Sequence, residues 1–221
     1  MSTPDVTLIV IAKEPRPGRV KTRLCPPCSP EQAADLAAAA LADTLAAVAA
    51  TSARRRLLAL EGEPGWWLPD GVDVVPQSSG GLDTRLAGAF ESAGGPALLI
   101  GMDTPQVDPG LLEDSSRLLL STDAVLGAAT DGGWWAIGLQ HPDPRVFEGV
   151  PMSTADTYDH QVARLDALGL RHVALPTLTD VDVFDDAVTV SASATGTRFS
   201  AAVSAAEKCH AGNGIMRGIG S

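Results

Sequence analysis

Five cations stand close together near the start of the chain: Lys13, Arg16, Arg19, Lys21 and Arg23, opposed only by Glu14. Like charges crowded onto one segment repel one another unless an anion sits among them. The chain as a whole carries a formal net charge of -11, so this basic cluster is no random sample of its surface. Pro15, Pro17 and Gly18 exclude a helix here and shape a fixed loop. Fork-shaped guanidinium groups, ammonium groups and backbone N–H groups near Gly18 are the donors that hold phosphate. Lys13, Arg16, Gly18, Lys21, Thr22 and Arg23 are therefore the candidate phosphate-binding positions. The plain alternative is a solvated basic loop. A P-loop is excluded, because with Lys21-Thr22 as its end the required glycines fall at Pro15 and Val20. A dinucleotide fingerprint fails for want of a second glycine beside Gly18.

Carboxylates supply the second kind of chemistry. Pro96 to Ile100 is a continuous apolar run that reads as a strand, and Asp103 follows at its carboxyl end. Ligands bind at that edge of an open α/β sheet. An aspartate there either holds Mg2+ or Mn2+ against phosphate oxygens or caps the turn before Pro105. Asp131-Gly132-Gly133 is a turn in which Asp131 either contacts an acceptor or only shapes the chain. The strand after it, Trp134 to Leu139, alternates. That places Trp135, Ile137 and Leu139 on a core face, and Trp134 beside Ala136 and Gly138 over a hollow where a sugar or base stacks. In an extended segment Asp180 and Asp182 project to one side. His160 reads as a helix-surface histidine. Cys25 and Cys28 read as free thiols, since zinc needs four ligands and only Cys209 and His210 offer themselves, far away in the chain.

The elements that position these residues alternate in type. A strand at Val6 to Ile11 precedes the basic loop. Ser29, Pro30 and Gln32 then open an alanine-rich helix that runs to about Ser52. Strands follow at Arg56 to Leu60 and Val72 to Val75. Leu82, Leu86 and Phe90 have helical spacing, and a further helix runs from Asp108 to about Ser121. A strand at Asp123 to Ala128 comes next, then a helix from Pro151 to Gly169 with Ser153 as N-cap, a strand at Arg171 to Leu175, and a last helix over Phe199 to Cys209. Strands alternating with helices predict a single α/β domain with a mostly parallel sheet and helices on both faces. We expect this domain over 1–190, and over 191–221 an extension with a short helix and a flexible tail. With 45% apolar and 19% charged residues the composition is that of a globular protein. No apolar run reaches membrane-spanning length on this reading, and Asp5 precedes the first one where a signal peptide has basic residues. A cytoplasmic protein that binds neither nucleic acid nor membrane is the expectation.

AKEPRPGRVKTRL resembles the opening AKxPxPGxVKTRL of a bacterial family of GT-A-like transferases. Members of that family are known as arsenosugar-biosynthesis or selenodomain-associated glycosyltransferases, relatives of the molybdenum-cofactor and phospholactate guanylyltransferases. The resemblance recurs at Gly101-Met102-Asp103-Thr104-Pro105, at Asp131-Gly132-Gly133-Trp134-Trp135, and at Asp180-Val181-Asp182. It implies a Rossmann-like GT-A (nucleotide-diphospho-sugar transferase) fold. It also implies a small-molecule nucleotide donor, a small acceptor, and a Mg2+ or Mn2+ ion held by Asp103 and Asp182. Gln77 and Arg85 match a glutamine-plus-GDLGxRL segment of the family and become ligand contacts, although Gly81 and Asp83 exchange the family's order. Lys21 and Asp131 join Asp103 as catalytic candidates, and Gly132, Gly133 and Trp134 as the wall of a sugar or acceptor pocket. Trp134-Trp135 stands where relatives carry Tyr-Tyr. Glycosyl transfer from a nucleotide sugar is the leading expectation. Nucleotidyl transfer to a phosphorylated acceptor is the alternative, a non-catalytic nucleotide sensor comes third, and a homo-oligomer is left open.

Overall fold

The first apolar run folds as β1 (Thr7–Lys13), buried from Thr7 to Val10 and flanked on both sides by parallel neighbours. The structure, a computed structural model, describes residues 4–216. Six further strands complete one sheet: β2 (Arg55–Glu61), β3 (Asp73–Pro76), β4 (Ala97–Gly101), β5 (Ala124–Ala129), β6 (Trp134–Leu139) and β7 (His172–Leu178). Their order is β3-β2-β1-β4-β6-β5-β7, and only β6 runs antiparallel to its neighbours. The α/β class and the mostly parallel sheet are those expected. Beyond β1 the chain first builds outward to β2 and β3, then crosses back to β4. This reversal opens a crevice at the carboxyl ends of β1 and β4, where open α/β sheets take their ligands. Pairing of β1 with β4 ends at Ile11 opposite Gly101, whereas β1 and β2 stay paired to Lys13 and Glu61. Met102 and Asp103 therefore leave the sheet beside Ala12 and Lys13.

Helices cover both faces. On one, α1 (Pro30–Ala50) and α3 (Pro109–Leu119) pack Leu41, Leu45 and Leu112 against Leu8, Val10 and Leu98. On the other, α2 (Leu82–Ala93) and α4 (Thr157–Ala167) pack Leu86, Phe90 and Leu165 against Ile9, Leu99 and Ile137. The expected start of α1 is present: Ser29 accepts a hydrogen bond from Gln32 N at 3.2 Å, and Gln32 Oε1 accepts one from Ser29 N at 2.8 Å. Helix α1 is long and apolar enough to cross a membrane by length and composition, contrary to the reading that no run reaches that length. The reason is packing. Its outer side, with Ala33, Leu36 and Ala40, is covered by α5 (Phe184–Ser193) and α6 (Arg198–Met216) through Val190, Phe199 and Val203. A helix buried on both sides needs apolar residues all round.

Three expectations are corrected. The last helix continues past Cys209 to Met216 and packs on α1, so residues beyond 190 contribute to the core; the far end of the expected tail, 217–221, lies outside the described residues. Ser153 is not an N-cap. It sits at φ +61°, and α4 begins only at Thr157. The Thr157 hydroxyl accepts from Thr154 N at 3.0 Å and lies 3.0 Å from the Pro151 carbonyl, which closes 151–157 into a turn in place of helix. The alternation of β6 also breaks. Gly127 pairs with Ala136 but Ala128 pairs with Trp134, so Trp135 is an extra, bulged residue. Trp135 thereby joins Ala136 in the cluster under α1, while Trp134 joins Ile137 and Leu139 on the opposite face. The hollow expected beside Gly138 does not form, because Val125, Leu119 and Leu98 fill it.

Candidate active site

The basic loop leaves β1 at Lys13 and turns at Lys21, whose backbone is left-handed (φ +48°). A short 3-10 turn, Thr22–Leu24, then plants Leu24 in the core beneath α5 and α6. With its far end anchored in this way, the loop arches over the carboxyl ends of β1 and β4. Between loop and strands lies a cavity of about 410 Å3 into which Lys13, Arg19, Lys21, Arg23, Asp103 and Asp182 converge. Thr22, Gln77 and Arg85 also line it. Arg16 and Gly18 do not. They border a neighbouring cleft, where Arg16 pairs with Glu14 at 2.7 Å and helps hold the Glu14 carboxyl below the usual range. The candidate phosphate positions thus divide into one group that faces the carboxylates and one that does not. Arg19, counted with the basic cluster but not among the site positions, belongs to the first group.

Three chain segments are laced together at the floor of this cavity. Val181 N donates to the Asp103 carbonyl at 2.9 Å, and Lys21 Nζ donates to the Val181 carbonyl. The same ammonium lies 2.9 Å from Asp103 Oδ1 in an ion pair, with the Lys21 side chain only 12% exposed. Arg23 Nη1 pairs with Asp182 Oδ2 at 2.7 Å, which raises the guanidinium pKa further. Gln77 spends its amide N–H groups on Ala12 and Ala59 carbonyls, at 2.7 and 3.0 Å. Arg85 pairs with Glu61 and donates to the Gly80 carbonyl at 3.1 Å. Both residues therefore fix the strand ends as well as lining the cavity.

Asp103 and Asp182 suit a divalent cation by donor chemistry: hard carboxylate oxygens that line one cavity, each now neutralised by a loop cation. Among the described residues no three Cys, His or acidic side chains gather as a ready-made metal site. An ion such as Mg2+ takes one or two carboxylates and completes its shell with water and substrate phosphates. Cys28, Cys209 and His210 border one small cavity, which chain distance concealed, but both thiols are free, as is that of Cys25. Desolvation raises the Cys28 thiol pKa. His160 lies exposed on α4 beside Asp156, at 3.2 Å.

A second cavity, of about 240 Å3, adjoins the first across Ile11, Leu82, Gly101 and Asp103. Asp131, Gly133, Trp134 and Asp180 line it, with Met152, Ser153 and Thr154 opposite. Asp131 both shapes its turn, accepting from Gly133 N at 2.7 Å, and borders the cavity. Gly132 serves the fold instead. At φ +90° a side chain there would overlap the Ala155 carbonyl, and its own carbonyl accepts from Tyr158 N at 2.9 Å to seat α4. Asp180 was legible only as a neighbour of Asp182. Desolvation, then the charges of Asp131 and Asp103, push its pKa up to about 6, against an opposing pull from Lys21. The Trp134 indole N–H is buried without a hydrogen-bond partner among the described residues.

Comparison with known proteins follows this geometry. The sequence profile of a family described as an uncharacterized protein conserved in bacteria, DUF2064, matches residues 33–154, a span that includes Gln77, Arg85, Asp103 and Asp131. No curated protein sequence matches. Among solved structures, the chain resembles a candidate nucleotide-diphospho-sugar transferase from Desulfovibrio desulfuricans G20, with TM-score 0.84 and 24% identity over 95% of this chain and 97% of that one. It also resembles Rv0371c from Mycobacterium tuberculosis H37Rv, solved as a complex with manganese, with TM-score 0.54 and 20% identity over 86% and 98%. CMP:2-keto-3-deoxy-manno-octonic acid synthetase complexed with CTP gives 0.55 and 9% over 84% and 96%. At these identities the likenesses establish a shared fold.

Proposed function

This chain belongs to the bacterial family DUF2064, and from its site we propose that it is a metal-dependent transferase that moves a glycosyl group from a nucleotide sugar to a small acceptor. The observation that carries this reading is the single cavity at the sheet's switch point, where Lys13, Arg19, Lys21 and Arg23 face Asp103 and Asp182. Four cations opposite two carboxylates match a diphosphate with a divalent ion between them. Asp103 and Asp182 would hold Mg2+ or Mn2+, which supplies charge neutralisation on the diphosphate. Lys21 and Arg23 would exchange their carboxylate partners for phosphate oxygens. The acceptor hydroxyl oxygen bonds to the anomeric carbon while the bond from that carbon to the β-phosphate oxygen breaks. The electron pair leaves on the nucleoside diphosphate, held by the loop cations. The hydroxyl proton passes to Asp131, the exposed carboxylate beside the second cavity. The arsenosugar or selenodomain-associated type of glycosyltransferase is the finer form of this proposal, supported by the loop and aspartate motifs. The number of loop cations also suits nucleotidyl transfer, the second reading, in which pyrophosphate leaves.

Asp103→Asn tests the shared core of both readings. Calorimetry with nucleoside diphosphate and Mn2+ should find metal-dependent binding in the wild type and none in the variant, with thermal unfolding of the variant still cooperative. Wild-type affinity in the variant would remove Asp103 from the metal site.

A further inference from the structure

The charges of the two adjoining cavities are segregated. Lys13, Arg19, Lys21, Arg23 and Arg85 line the first cavity, whereas the ionisable groups lining the second are Asp103, Asp131 and Asp180. Asp131 lies near enough to Asp180 to raise the energy of its charge, and the nearest cations are already committed, Lys21 to Asp103 and Arg23 to Asp182. The remaining wall mixes the apolar Leu86 and Met152 with the Thr154 hydroxyl and the indole of Trp134. At about 240 Å3 the space lies below the roughly 300 Å3 at which clefts for drug-sized ligands begin, so the guest is small.

We propose that the second cavity is the acceptor subsite and that it admits an uncharged or cationic polyhydroxyl compound while excluding phosphorylated and carboxylated ones. A phosphate brought there meets three carboxylates and no free cation among the described residues. Hydroxyl groups instead find carboxylate acceptors and an apolar floor against which a ring or carbon chain lies. An amine gains further from the carboxylates. This inference rests on the transferase reading and deepens it: a phosphorylated acceptor, the kind supposed in the second reading, does not suit this chamber. Asp131 thereby acts as a specificity-determining residue, because it carries charge at the open side of the subsite.

The test uses the full chain with Mn2+ and a panel of UDP-, GDP-, ADP- and dTDP-hexoses, following release of nucleoside diphosphate. Glycerol, ethanolamine and glycerol 3-phosphate then compete with water as acceptors, scored as glycosylated product. Glycerol and ethanolamine should capture the sugar at about tenfold lower concentration than glycerol 3-phosphate. Met152→Lys puts a cation on the wall of the second cavity and leaves Asp131 to take the proton, so it should shift that ratio toward the phosphorylated acceptor. Equal use of the three, preference for glycerol 3-phosphate, or a ratio unmoved in Met152→Lys overturns the proposal and leaves the transferase reading standing. Turnover of no donor in the panel overturns the transferase reading and this proposal together.

Discussion

Lys21 guards the carboxylate that a metal would need, so its removal should act in opposite directions on metal and nucleotide. In Lys21→Met the stem keeps its packing but the ion pair to Asp103 at 2.9 Å and the hydrogen bond to the Val181 carbonyl disappear. At an effective dielectric constant of about 20 two unit charges at this distance attract by roughly 6 kcal/mol before desolvation is counted. Leaving a fully buried partner unpaired costs about 3–5 kcal/mol, but the Asp103 side chain is 37% exposed, so we discount the loss to about 1–3 kcal/mol. For a chain of this length each kcal/mol lowers Tm by about 2–4 °C. Without nucleotide, Mn2+ no longer competes with an ammonium for Asp103, and its affinity should rise several-fold. Nucleoside diphosphate should bind about tenfold or more weakly, because one charge-assisted hydrogen bond to phosphate is gone. Calorimetric titrations of Mn2+ alone, and of nucleoside diphosphate at saturating Mn2+, measure both. If Mn2+ affinity falls together with nucleotide affinity, Lys21 does not compete with metal at Asp103 and the exchange of partners is wrong.

Two further outcomes follow from particular residues. Gly132→Ala should unfold the turn or cost several kcal/mol, since it combines φ +90° with overlap at the Ala155 carbonyl; near-wild-type Tm would refute that packing. The folded chain holds the Asp180 proton longer than the unfolded chain does, so this group's contribution to stability falls as pH rises from about 4 through about 6. Asp180→Asn removes that loss. It should raise Tm at pH 7 by several degrees, an upper bound of about 3 kcal/mol, and leave it nearly unchanged at pH 4. A larger gain at pH 4 than at pH 7 would reverse the sign and discard the assigned cause.

The parts of the fold written in local chemistry were legible beforehand. The capping box at Ser29 and Gln32, the apolar runs of β1 and β4, and the cation-rich loop each announce themselves within a few residues. What remained hidden depends on distant partners. The bulge at Trp135 exists because Gly127 leaves room for the indole and because its N–H reaches the Pro176 carbonyl at 2.9 Å. A glycine inside a strand pattern is the signal the sequence offers for it. Ser153 reads as an N-cap by type, but the Thr157 hydroxyl four residues on captures the backbone first. The outer cover of α1 was likewise invisible, although alanines on every side of that helix pointed to burial all round. In the site, Asp103 and Asp182 meet through Lys21, Arg23 and a single backbone bond to Val181. The charge segregation between the two cavities follows only from seeing which side of Asp103 each residue faces.

The identity of the leaving group tests the central claim most directly, since donor binding and the loop cations serve either reaction. The protein with Mn2+ should release nucleoside diphosphate and free sugar from a nucleotide sugar, slowly with water and faster with a hydroxyl acceptor. No pyrophosphate should appear from a nucleoside triphosphate under the same conditions, with or without a phosphorylated acceptor. Pyrophosphate release, or exchange of labelled pyrophosphate into triphosphate in the presence of a nucleotidyl product, would contradict glycosyl transfer and assign the site to nucleotidyl transfer.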